Sequence, residues 1–153
     1  MLNIKMNTDK TLSVVNTEGI RIMQNDNLID KIRIFIPKEY RDTDLSDFQA
    51  ELHYTTPGNI PYDVLLKKCS TQDKENYIIY EFPIDNAFTS VAGDIRNIFL
   101  LLTKTVVREG GLKPLLYKIH TDTTQLTIHP STTYNSEIGS GSGSEEEFEV
   151  VEF

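Results

Sequence analysis

The chain is predicted to be an all-β protein, an antiparallel β-sandwich of immunoglobulin-like or jelly-roll-like plan with a flexible acidic C-terminal tail. Three observations carry that prediction. Apolar and polar residues alternate with a period of two through most of residues 1–131, as in strands with one buried face. Turn signals such as NTDK, PGN, REGG and TDTT separate those runs at short intervals. No long amphipathic helix interrupts them, and many short strands at close spacing favour two packed sheets.

Taken in order, residues 2–6, 11–15 and 19–23 read as the first three strands. The clearest alternation is KIRIFIP, where Ile32, Ile34 and Ile36 share one face, Lys31, Arg33 and Phe35 share the other, and Pro37 closes the run. DTDLSDF suggests a single helical turn with Asp42 or Thr43 as N-cap. FQAELHYTTPGNIPYDVLL is a hairpin: Phe48, Ala50, Leu52 and Tyr54 point one way, Pro57, Gly58 and Asn59 turn, and Tyr62, Val64 and Leu66 resume the pattern. Further strands are expected at 77–82, 94–105, 114–121 and 125–129, with a short helical turn in FTSVAGD leading into the longest of them. Within IRNIFLLLT, residues 98–102 are apolar on both faces. A strand of this kind belongs near the middle of a sheet, covered on one side by the core and on the other by something else; a buried helix is the competing reading. The expected core contains or borders Ile32, Ile34, Ile36, Leu52, Val64, Ile98, Leu100 and Ile128.

A length of 153 residues with 39% hydrophobic content fits one domain with a real core and a tail. We divide the chain into a β-sandwich domain at 1–131, a Gly/Ser-rich linker at 132–144 and an acidic, apolar tail peptide at 145–153. The formal charge is −8, yet setting aside the six glutamates from Glu137 onward leaves 17 acids against 15 bases, so the acidity belongs to the tail. Without clustered Lys and Arg to neutralise phosphates, direct nucleic-acid binding is not expected. No apolar run approaches the roughly 20 residues that span a bilayer, so no membrane insertion is expected, and the N-terminus lacks the layout of a secretory signal. Cys69, the single cysteine, excludes an internal disulfide framework and leaves the redox compartment open, a reduced cytosolic one fitting better.

Catalytic signatures are sparse. His53, His120 and His129 fall in separate predicted strands without the i, i+2 or i, i+4 partner typical of a local ligand pair, so they read as strand or surface histidines. Cys69 sits in KKCSTQ beside Lys67 and Lys68 as a partly exposed thiol with no nucleophile signature around it. REGG and AGD are turn glycines, and no phosphate-loop motif occurs. Asp42 with Asp44, or Asp94 with a distant acid, are carboxylates that nothing in the sequence sets apart in pKa, which leaves them solvated turn residues. No cofactor, no metal and no catalytic residue is assigned, and the chain is expected not to be an enzyme.

The order of segments carries more. NLIDKIRIFIPKEYRDTDLSDFQAELHYTTPGN, then IIYEFPIDNAFTSVAGDIRNIFLLLT, then LTIHPS resembles the N-terminal β-sandwich of structural proteins from tailed bacteriophages, the baseplate-upper or fibre-anchoring proteins of phages of Gram-positive bacteria. The matching features are an early strand ending in IP, an acidic DL turn, a Tyr-containing hairpin, an AGD turn into a long apolar strand, and a closing I-x-P segment. The resemblance spans about residues 1–131. It implies an attachment module in a virion assembled in the host cytoplasm, with other virion proteins and further copies of itself as partners. In that family a coiled coil or receptor-binding section commonly follows, whereas here the linker and tail do. A cellular β-sandwich module for carbohydrate or another small ligand is the alternative.

The tail, EEEFEVVEF, is too short to fold alone. Extended, it places Phe148 and Val150 on one face and Val151 and Phe153 on the other, a pattern that can add to an open sheet edge while Glu145, Glu146 and Glu147 discourage self-association and meet a basic rim. A solubility tail, or an engineered linker carrying a tag, is the other reading.

Overall fold

The computed structural model describes residues 2–69 and 76–131; the linker and the tail-docking residues Glu145, Glu146, Glu147, Phe148, Val150, Val151 and Phe153 lie outside the described residues. The first half of the chain contains β1 (Leu2–Met6), β2 (Leu12–Asn16), β3 (Ile22–Met23), β4 (Lys31–Pro37), β5 (Glu39–Tyr40), β6 (Thr43–Asp44), β7 (Gln49–Thr55), β8 (Pro61–Leu65) and β9 (Lys67–Lys68). The second contains β10 (Tyr77–Pro83), α1 (Asn86–Thr89), β11 (Gly93–Val106), β12 (Leu115–His120) and β13 (Thr124–His129). Among the described residues 56% are strand and 3% helix, so this part of the chain is nearly all β, its sheets packed together and one of them curled into a half-barrel.

Alternation explains the first sheet, ordered β2-β1-β4-β10-β9. β1, β4 and β10 send Ile4 and Met6, Ile32, Ile34 and Ile36, and Ile78, Tyr80 and Phe82 to the same buried layer, while Lys5, Arg33 and Glu81 take the opposite face. Glu81 lies 3.6 Å from both Lys31 and Arg33 there. The second sheet runs β3-β13-β11-β7-β8, and its inward residues Leu52, Tyr54, Ile95, Ile98, Leu100, Leu102 and Ile128 close the core from the other side. Of the expected core residues, seven are buried, and Val64 packs against the cluster half-buried.

β11 organises the second sheet. On one edge it pairs with β7 from Arg96 to Thr103; on the other it pairs first with β13 and then with β12. Both registers shift between Ile95 and Phe99, where Asn97 adopts φ 53°. This bulge lets Ile95 and Ile98, three residues apart, both face the core. The jog between β12 and β13 is sealed by Thr121. The Leu100 N–H donates to Thr121 Oγ1 at 2.9 Å, and the Thr121 N–H returns to the Leu100 carbonyl at 3.0 Å.

Several expectations need correction. Two pairings are parallel, β1 with β4 and β13 with β3, so the sandwich is not antiparallel throughout. The helical turn expected in DTDLSDF is absent. Neither Asp42 nor Thr43 caps a helix; Arg41 and Asp42 (φ 48° and 67°) form the tight turn of the β5–β6 hairpin, because their left-handed backbone suits a two-residue connection. The turn expected in FTSVAGD lies slightly earlier, at α1, where Asp85 is the N-cap and accepts from the Phe88 N–H at 3.2 Å. Residues 98–102 are strand rather than helix, and the expected strand at 19–23 contracts to Ile22–Met23.

Candidate functional site

The pairing of β7 with β11 ends at Thr103, but β11 continues through Lys104, Thr105 and Val106 with β12 beside it. The result is a two-stranded arm whose tip, residues 107–114, turns through Gly110 and Gly111, both at φ 74°. Arg108 Nε ties the tip together by donating to the Lys113 carbonyl at 2.9 Å. At the base, Lys104 Nζ lies 6.0 Å over the Phe48 ring and 3.9 Å from Asp47.

The same alternation that buries β4 continues along this arm, but the core does not follow it. Leu116 is 60% exposed, Tyr117 46% and Val107 81%, and Leu112 and Leu115 are also exposed. Single exposed apolar residues are ordinary on any surface. Here five of the eleven exposed large hydrophobics among the described residues fall within 107–117, and that concentration marks an interaction surface. Leu116 and Lys118 share one face of β12, opposite Thr105 and Thr103; Leu115 and Tyr117 share the other, opposite Val106 and Lys104. The arm is also basic, with Lys104, Arg108, Lys113 and Lys118 against Glu109. Among the described residues β12 pairs with β11 alone, so its second edge is open.

A second cluster lies on the outer face of the second sheet. His53 stacks on Phe99 at 4.6 Å with 14° between the planes, and His120 tilts against the same ring at 5.9 Å. Among the described residues these rings cover the outward side of β11 at Phe99. Glu51 Oε1 lies 3.0 Å from His53 Nε2, and Asp63 is the cross-strand partner of His53. One ligand atom from each of Glu51, His53 and Asp63 lies within 4.8 Å of the other two. Donors on one small divalent ion stand no more than about 4.2 Å apart, so the set would have to close slightly to share one. His53 is therefore not without a neighbour of ligand type: Glu51, two residues earlier, shares its face once the segment is a strand, and the hairpin register adds Asp63.

The remaining candidates are dispersed. Arg21 Nη2 lies 3.3 Å from His129 Nδ1, and Thr127 donates to Asp94 at 2.9 Å. Asp44 accepts from the Ser46 hydroxyl at 2.6 Å and the Ser46 N–H at 2.9 Å; these bonds, the hydroxyl first, hold its carboxyl below the usual range. Cys69 is partly buried at the end of β9, its N–H bonded to the Ile79 carbonyl and its thiol 3.6 Å from Glu81. Asp42, Asp44, Asp94 and Cys69 do not converge with the histidines on one site. Comparison with family models and with curated proteins finds no match to this chain.

Proposed function

We propose that this protein is a non-enzymatic structural or adaptor component of a bacteriophage virion, at the tail, baseplate or head, whose sandwich packs against another copy or another virion protein. The observation that supports assembly is the arm: an exposed two-stranded extension is marginal alone in water, and this one carries apolar side chains on both faces with an open edge. The phage setting rests on the ordered segments that resemble baseplate-upper and fibre-anchoring domains. The tail residues Phe148, Val150, Val151 and Phe153 are docking anchors in the same reading.

Particle incorporation tests it. The full-length protein is expected in purified virions, and Leu116→Ser with Tyr117→Ser is expected to deplete it there while leaving the melting temperature unchanged. Equal incorporation of the double variant would remove the arm from the proposal. Failure of the protein to co-purify with particles, together with glycan binding in solution, would replace the virion reading with that of a carbohydrate-binding module.

A further inference from the structure

The arm and the sequence of the tail are complementary in strand pattern, apolar side chains and charge. β12 offers an unpaired strand edge, apolar side chains on both faces and a basic surround. Residues 145–153 offer a short strand-forming peptide with apolar side chains on both faces and five glutamates. Added beside β12, such a peptide would place its glutamates near Lys118 and Lys113 and its phenylalanines and valines against Leu115, Leu116 and Tyr117.

Linker length decides whose arm is reached. The described chain ends at Ser131, next to Gln24 and β3, at the end of β11 that begins with Gly93. Tyr117, opposite Lys104, lies eleven residues along β11 from Gly93, roughly 36 Å away at strand rise. A linker of thirteen residues has a relaxed span of roughly 20 Å and a limit of about 45 Å. Reaching its own arm would stretch the linker beyond its relaxed span, which lowers the effective concentration. A neighbouring subunit carries no such penalty.

We infer that residues 145–153 of one copy add as a strand to the β12 edge of a second copy, making a head-to-tail contact between identical chains. This inference rests on the reading of the arm as an assembly surface and names its occupant. Phe148 and Phe153 are the anchors. The glutamates supply charge complementarity to Lys118 and its basic neighbours, and they discourage tail-to-tail pairing.

Sedimentation of the purified full-length chain over a range of concentrations tests the inference. Expected is self-association that weakens about tenfold or more as salt rises from ~0.05 to ~0.5 M. Phe148→Ser with Phe153→Ser should weaken it about 100-fold. Lys118→Glu should also weaken it, and adding Glu149→Lys should restore it. Mixing the Lys118→Glu chain, whose tail is intact, with the Phe148→Ser/Phe153→Ser chain, whose arm is intact, should recover a heterodimer. A monomer at every concentration overturns the inference, as does association that survives loss of both phenylalanines or a mixture that stays dissociated. Loss of particle incorporation in the Leu116→Ser/Tyr117→Ser chain alongside a strictly monomeric wild type would sink this inference while leaving the proposed function standing.

Discussion

Gly93 is the residue on which β11 turns. Its φ of 127° is a backbone conformation that side chains rarely tolerate, and a Cβ there would meet the Pro57 ring at 3.1 Å. Gly93→Ala is expected to cost about 1–3 kcal/mol, read as a lower urea midpoint at unchanged slope. Tyr54 makes a different prediction. It sits among Tyr62, Phe82 and Phe88 at centroid distances of 5.0–5.9 Å, and burial, with the Asp85 charge behind it, pushes its phenol well above the ordinary 10.0. A raised folded value means that its contribution is complete below pH 10.0 and declines above it, because only the unfolded chain releases the proton there. Tyr54→Phe should therefore flatten the alkaline loss of stability by up to about 1.4 kcal/mol per pH unit. An unchanged slope in denaturation above pH 10.0 would mean that the folded phenol titrates normally.

At the scale of elements, the same alternation has two fates. In β4 it buries Ile34 completely, and Ile34→Ala should cost about 2–5 kcal/mol of unfolding free energy. In β12 it leaves Leu116 exposed, and Leu116→Ser should move the same measurement by no more than about 0.5 kcal/mol. The contrast explains what the sequence could reveal. Period two marks a strand and its two faces, so KIRIFIP, the β7–β8 hairpin and the long apolar β11 were legible. Whether a face meets a core depends on what packs against it, and nothing within PLLYKIH encodes that the core stops short of Leu115, Leu116 and Tyr117. The β5–β6 hairpin was illegible for a separate reason: EYRDTD contains no apolar alternation, and its turn depends on left-handed Arg41 and Asp42 rather than on Gly. Glu51 and His53 were neighbours in principle, but their spacing matters only in a strand, and Asp63 joins them only through the register of β7 with β8.

Across the whole molecule, pairing partners are what a sequence pattern conceals most completely, since alternation says nothing about which strand lies alongside or in which direction. The parallel pairs β1 with β4 and β13 with β3 were invisible for this reason, and so was the open edge of β12. One of those pairs also fixes an order in time. Ile22 bonds beside Ile128, so β3 is made 106 residues before the strand that receives it. At ribosomal rates of about 5–20 residues per second, it waits roughly 5–20 s without its sheet partner, while β1 finds β4 far sooner. In refolding, where topology of this kind gives rates in the range of milliseconds to seconds, the edge at β3 should be the last to close. Pulsed hydrogen exchange is expected to show the amides of β4 and β10 protected early and those of Ile22 and Met23 late. Simultaneous protection of all three strands would mean instead that both sheets condense in one step.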